Sequence, residues 1–233
     1  KVAIKVFSDN LRDLLLAGVR QALGADADIA KHFTPRYRPW EQRLCLVPDG
    51  DFFRAIKQGQ ASVVTDQVET FTETGVRLAS GATLQADIVV SATGLKLAML
   101  GDAQVFVDGR RIEAQRTVNY KGVMASGVPN MANTFGYTTA SWTLKSDLTA
   151  RYVCRLLNHM GKTGARQCMA PEPGPDMPLL PWVDFSSGYF QRAAGILPKQ
   201  GAGKPWKLNQ NYLSDVLALR FGSVNDGVLR FSR

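Results

Sequence analysis

Arg43 stands where the polar pair Glu41-Gln42 meets the apolar run Leu44-Cys45-Leu46-Val47. A guanidinium at the edge of an apolar segment has two uses. It can point into a cleft and offer a planar donor fork to an anion, or it can close a structural ion pair, here with Glu41 or Asp49. A second candidate is Asp87-Ile88-Val89-Val90-Ser91-Ala92-Thr93-Gly94. Three successive β-branched residues suit a strand covered on both faces, as in a parallel sheet, and Gly94 frees the backbone to turn or to approach another group. Ligands of open α/β sheets gather at the carboxyl ends of such strands. An ordinary core strand ending in a loop reads the same way. A third candidate is Gly136, a glycine exit followed by a helix that Thr139 or Ser141 caps. The positive end of that helix suits an anion or an electron-rich carbonyl, and a plain packing helix is the alternative.

Other chemistry is disfavoured. His32 and His159 have no cysteine or acidic cluster at metal-ligand spacing, so no metal site is expected. Cys45, Cys154 and Cys168 are odd in number and far apart, which argues against a disulfide framework and for a reducing, cytoplasmic setting. The net charge of +8, from 28 basic and 20 acidic side chains, suits nucleic acid, an anionic membrane surface or a phosphate-bearing cofactor. The basic residues are scattered, however, so most read as solvated surface and no nucleic-acid partner is expected. No segment approaches a membrane span. With 233 residues and 45% hydrophobic content the chain can fill one large or two modest domains. It lacks an initiator Met and reads as a piece of something longer.

These residues need elements to position them. Val2–Phe7 alternates weakly as a short strand. A helix follows, capped by Ser8, Asp9 or Asn10, with Leu11, Leu14, Leu15, Val19, Ala22 and Leu23 on one face and Gly24 as its stop. His32 to Cys45 reads as an ordered loop, because its prolines restrict the chain and its aromatics need burial. A short helix carries Phe52, Phe53 and Ile56. Residues 61–65 read as a strand, and hairpins turning at Thr74-Gly75 and Ser80-Gly81 form a meander that leads to Asp87. The boundary falls just after Gly94. Val105–Ile112 is a hairpin around Asp108-Gly109, and Tyr120–Met124 is a strand. Leu144, Leu148, Tyr152, Leu156 and Met160 share a helical face that Gly161 ends. Beyond Pro171 the prolines predict a loop-rich tail, which Trp182, Trp206 and Tyr212 clamp down. Residues 187–194 and 211–221 read as helices, and 224–231 as a final hairpin around Asp226-Gly227.

Several blocks carry a family resemblance. Gly75-Val76-Arg77-Leu78, Gly81, Leu84 and Ala86 to Gly94 resemble the meander and "ATG" strand of flavoproteins with two dinucleotide-binding domains. His32-Phe33-Thr34-Pro35, Pro39 to Cys45, Val47 to Asp51, Gly136 to Lys145 and Leu197-Pro198-Lys199-Gln200-Gly201 narrow it. Together, in family order from His32 to Arg233, they resemble the class B flavin monooxygenases (flavin-containing and Baeyer–Villiger types), and most of all the ethionamide-monooxygenase subgroup. The resemblance implies an α/β fold. Residues 1–95 would be the C-terminal part of an NADPH-binding domain with its β-meander. Residues 96–233 would be the returning part of an FAD-binding domain and a loop-rich tail.

The implied enzyme uses NADPH, FAD and O2. It oxygenates a small ketone, or a sulfur or nitrogen atom, through a C4a-(hydro)peroxide of the reduced flavin. Arg43 matches the arginine held over the flavin, where a fixed cation stabilises developing negative charge. Gln42 stands where many relatives have lysine. The resemblance places Ser91, Ala92, Thr93 and Gly94 at a junction of the two domains, Asn130, Gly136, Tyr137 and Ser141 near the flavin, and Trp142 on the substrate side. The chain holds no G-x-G-x-x-G after a strand and no Phe-x-Gly-x-x-x-His-x-x-x-Trp-Pro segment. It therefore reads as the C-terminal part of such an enzyme, dependent on an N-terminal portion, with a non-catalytic remnant or basic binding module as the alternative.

Overall fold

The computed structural model describes residues 2–24, 27–39, 41, 42, 45 and 47–233, with backbone alone for 2–8. They form a mixed α/β chain in two compact units, Lys1–Gly94 and Leu95–Arg233.

The first unit begins with α1, Val2–Leu23. Val2–Phe7 is helical rather than a strand: adding residues to a nucleated helix closes one hydrogen bond each, whereas a lone strand leaves its groups unpaired. Gly24 ends α1 with φ +92° and donates to the Arg20 carbonyl at 2.9 Å. Leu16 and Leu23 face inward, with Ile29 of the short α2 (Ile29–His32) and, more loosely, Phe33, Phe53 and Ile56, the last two on α3 (Asp51–Lys57). Leu14, assigned to the inner face by periodicity, is exposed. Residues 61–65 form no strand. The meander is present as β1 (Val68–Thr72), β2 (Gly75–Leu78) and β3 (Thr83–Gln85), antiparallel and in that order. Phe71 opposes Val76, and Val76 opposes Leu84. Gly75 is required there: a Cβ would sit 2.0 Å from the Leu84 carbonyl oxygen.

The expectation of a covered strand at 87–90 fails. Among the described residues nothing pairs with it, and Ile88 and Val90 are 82% and 83% exposed. A β-branched run specifies a need for cover, but the cover must come from other strands, and among the described residues every named strand pair is antiparallel and elsewhere.

In the second unit, β4 (Phe106–Val107) and β5 (Arg110–Arg111) form the expected hairpin. Asp108 and Gly109 are both left-handed, at φ +49° and +75°, as a two-residue hairpin turn demands. The strand expected over Tyr120–Met124 is instead a tight hairpin, β6 (Asn119–Tyr120) and β7 (Met124–Ala125). Lys121 and Gly122 turn it at φ +52° and +72°.

The long helix α4 spans Trp142–Thr163 and passes through Gly161. An interior glycine costs only about 1 kcal/mol. The stop is Gly164, left-handed at φ +70°, whose N–H reaches the Met160 carbonyl. The inner face of α4 (Leu148, Tyr152, Leu156) packs on Val118, Tyr120, Val123, Met124, Trp206, Leu219 and Leu229. Each such side chain contributes about 1.5–3 kcal/mol by leaving water.

The tail is more regular than its prolines suggest. Strand β8 (Gln167–Met169) pairs with the last strand, and β9 (Leu179–Pro181) pairs with β10 (Lys199–Gly201) around α5 (Gly188–Ala193). Helix α6 (Tyr212–Asp215) continues as a π-helical stretch, Val216–Phe221. Arg155 of α4 donates to the carbonyls of Leu219, Arg220 and Gly222 at 2.7–2.8 Å, which satisfies the end of that stretch. The expected hairpin at 224–231 is not formed. Asp226 Oδ1 accepts the N–H groups of Val228 and Leu229, and β11 (Arg230–Ser232) runs back to β8. Trp206 is buried on Tyr120, while Trp182 belongs to a second cluster with Val183, Phe190, Ala193, Leu197 and Leu208. Tyr212, expected as a third clamp, is exposed.

Candidate functional site

Arg43 lies outside the described residues. Earlier in the same segment, Arg38 N–H donates to the Glu41 carboxylate at 2.9 Å and Glu41 N–H to the Arg38 carbonyl at 3.1 Å. Gln42 and Arg38 line a cavity of about 160 Å³ whose apolar wall includes Leu16, Val19 and Phe33. Ser91, Ala92, Thr93 and Gly94 are exposed, and Gly94 is left-handed at φ +122°.

The candidates of the second unit cluster around the start of α4. Gly136 permits a close approach: a Cβ there would lie 2.1 Å from Cγ of Trp142, so the indole sits against the glycine backbone. Phe135 packs on Trp142 at 5.3 Å and on Trp182 at 4.2 Å between ring centroids. Trp182 and Phe190 in turn line a largely apolar cavity of about 580 Å³. Ser141 is the N-cap of α4, but its hydroxyl bonds Thr143 Oγ1 at 2.7 Å and makes no cap hydrogen bond. The first-turn N–H groups of a 22-residue helix are thus left without a side-chain acceptor from the N-cap.

Tyr137 points inward rather than outward. It is 2% exposed and its hydroxyl donates to Asp215 Oδ2 at 2.8 Å. The same oxygen receives Lys145 Nζ at 2.9 Å, in an ion pair that is 1% and 2% exposed. Burial pushes the Lys145 ammonium below the usual lysine range, against the pull of Asp215. Burial, then the hydrogen bond to Asp215, raises the Tyr137 phenol. Thr138 is tied down beside it, its N–H and hydroxyl both donating to Gln210 Oε1. Asn130, at φ +54°, uses its side-chain amide to hold the β8 backbone: Oδ1 accepts from Cys168 N–H and Nδ2 donates to the Arg166 carbonyl.

The structure therefore brings Gly136, Tyr137, Ser141 and Trp142 together, while Asn130 is engaged at β8. Sequence reasoning missed Lys145, Asp215 and Gln210. Lys145 was visible in principle, because it falls three and seven residues before Leu148 and Tyr152 on the buried face of α4. Its partner came from far along the chain and left no local signal.

Among the described residues no cluster of three or more His, Cys, Asp or Glu could hold a metal ion, and no helix is long and apolar enough to cross a membrane. No family model matches the chain. It is 49% identical over 223 residues to the FAD-containing monooxygenase EthA of Mycobacterium tuberculosis, covering 96% of this chain and 46% of that protein. It is 49% identical over 228 residues to the probable FAD-binding monooxygenase AlmA of Acinetobacter sp, covering 97% and 46%. It is 45% identical over 224 residues to the putative FAD-containing monooxygenase MymA of Mycobacterium tuberculosis, covering 95% and 45%. The chain thus spans about half the length of these relatives. Over nearly all of its own length it is a homologue of the FAD-containing monooxygenases and corresponds to their C-terminal portion.

Proposed function

We propose that this chain is the C-terminal part of an FAD- and NADPH-dependent monooxygenase. It would insert one oxygen atom from O2 into a small ketone, or oxygenate sulfur or nitrogen, in a cytoplasmic enzyme. The observation that carries the reading is 45–50% identity to FAD-containing or FAD-binding monooxygenases along 95–97% of the chain. In this reading residues 1–95 belong to the NADPH-binding domain and 96–233 to the FAD-binding domain. An N-terminal portion supplies the two glycine fingerprints, and Ile88, Val89 and Val90 gain their cover from it.

The start of α4 fits a flavin. Its N-terminal amides have no side-chain cap, and Gly136 keeps the neighbouring backbone free of a side chain. Residues 136–141 would meet the cofactor through backbone groups, since the Tyr137 hydroxyl is already committed to Asp215. Ser91 to Gly94 would contribute through exposed backbone. Asn130 would act indirectly, by fixing the segment that leads to Gly136. When bound, a flavin would supply the redox chemistry that activates oxygen, with NADPH as the electron source in this reading. Arg43 would hold positive charge where negative charge develops. Trp142 would face the substrate, with the apolar cavity beyond Phe135 and Trp182 as the neighbouring wall.

The test is an absorbance spectrum and FAD titration of the chain alone and with an upstream fragment carrying both glycine fingerprints. Tight flavin binding only in the joined protein is the expected result, and Arg43→Ala should then abolish oxygenation while flavin stays bound. No binding in either case would leave a non-catalytic remnant. Salt-sensitive binding to nucleic acid without a flavin response would favour a basic binding module instead.

A further inference from the structure

We propose that Lys145 and Asp215 are positioning residues that act through Tyr137 to set the turn 136–141 and the Trp142 indole. This rests on the reading of that turn as the flavin-side surface, and it names the device that holds it.

The geometry is a three-segment lock. Asp215 Oδ2 receives both Lys145 Nζ (2.9 Å) and the Tyr137 hydroxyl (2.8 Å). Asp215 is itself placed by α6, whose N-cap Asn211 accepts the Ser214 N–H at 3.0 Å. Lys145 lies three residues beyond Trp142 on α4, and its ammonium rests against the β6–β7 turn, where a Cβ on Gly122 would come within 3.0 Å of Nζ. Gln210 adds a second tie, through Thr138. Tyr137 and Thr138 are therefore fixed from the 210–215 segment on one side of the turn, and Lys145 fixes α4 on the other. Between them, Trp142 is held against Gly136.

A buried ion pair is a poor way to gain stability, because an apolar pair of similar volume does as well or better. What this pair adds over an apolar one is direction. The Tyr137 hydroxyl must point at Asp215 Oδ2 to be satisfied, and Lys145, on the same oxygen, neutralises the charge that the phenol would otherwise face alone. The residues so fixed extend beyond the buried Tyr137 to the surface. They include half-exposed Trp142 and the uncapped first turn of α4.

The test is ¹⁹F NMR of the 233-residue chain labelled with 5-fluorotryptophan, with the Trp142 line assigned through Trp142→Phe. Two variants are compared with the parent: Tyr137→Phe, which leaves the ion pair intact, and Lys145→Met with Asp215→Leu, which removes both charges together. The expected result is a shifted or broadened Trp142 line in both, with the Trp206 line in the core unmoved. An unmoved Trp142 line in Tyr137→Phe overturns the proposal, and this variant decides the matter even if the double variant fails to fold. No flavin enters the measurement. A moved Trp142 line in a protein whose joined form ignores FAD would overturn the proposed function and leave the lock standing. An unmoved line in a protein that binds FAD would do the reverse.

Discussion

Two lysine–aspartate–tyrosine triads in the second unit share one wiring and differ in depth. In the outer one, Asp226 Oδ2 receives Lys121 Nζ at 2.8 Å and the Tyr120 hydroxyl at 2.6 Å. In the inner one, Asp215 Oδ2 receives Lys145 and Tyr137. The outer pair is 11% and 19% exposed, and Lys121 also donates to the Ser223 carbonyl and lies over the Tyr120 and Tyr152 rings at 5.2 and 5.4 Å. The inner ammonium, at 1% exposure, has no further hydrogen-bond partner among the described residues. The electrostatic consequences are opposite. Burial works to raise the Asp226 carboxyl, but hydrogen bonds from Lys121 and Tyr120 outweigh it and hold the group below the usual carboxylate range. At Lys145 burial wins over Asp215 and disfavours the charge. One pair is a stabilising clasp, and the other bears a desolvation cost for the sake of geometry.

The largest expected effect breaks the inner triad. Lys145→Met leaves Asp215 buried and uncompensated, which costs about 3–5 kcal/mol in denaturant unfolding, and adding Asp215→Leu should recover most of it. A loss for Lys145→Met smaller than that of Lys121→Met would contradict the difference in depth. Asp226→Ala should cost about 1–3 kcal/mol, because the Lys121 and Tyr120 groups it leaves have partial access to water and other partners.

Acid titration sharpens the contrast. With its folded pKa depressed, Asp226 contributes stability that is present above the ordinary aspartate value of about 3.9 and is lost as pH falls through the folded value. Asp226→Asn should therefore flatten the acid limb of a stability–pH curve. For Lys145 the unfolded chain holds the proton more tightly, so its contribution rises as pH climbs toward the ordinary lysine value of about 10.4, and Lys145→Met removes that rise.

The smallest effect is chemical. Burial, with Asp226 adding to it, pushes the Cys168 thiol up to about 11. Iodoacetamide at mildly alkaline pH should label the exposed Cys45 and Cys154 and spare Cys168, as peptide mapping would show. Labelling of Cys168 at the same rate would mean that the core around Asp226 opens readily.

Some of this was legible in the chain. Asp108-Gly109 dictated a hairpin, and the Leu148–Tyr152–Leu156 spacing dictated an amphipathic helix. The turns at Gly75 and Gly81 dictated the meander. These depend on backbone freedom and on periods of a few residues, so they survive in a local reading. Asn130 shows the opposite case. The family resemblance implied a place near the flavin for it, and nothing local announced that its amide holds β8, 36 and 38 residues onward. The misplaced end of α4 has a similar cause, since a helix can cross one glycine and only the left-handed Gly164 ends it.

The sequence by itself determined the local devices and the homology: which segments turn, which helix is amphipathic, and which family the residue blocks follow. Only the tertiary structure decided which polar groups meet. A lysine on an apolar helix face, an aspartate some seventy residues later and a tyrosine before the helix are separately unremarkable. Burial made their charges dependent on one another, and that dependence exists only where long-range packing excludes water. The same reason explains Ile88 to Val90, whose demand for cover is written locally and whose exposure is settled by what lies across from it.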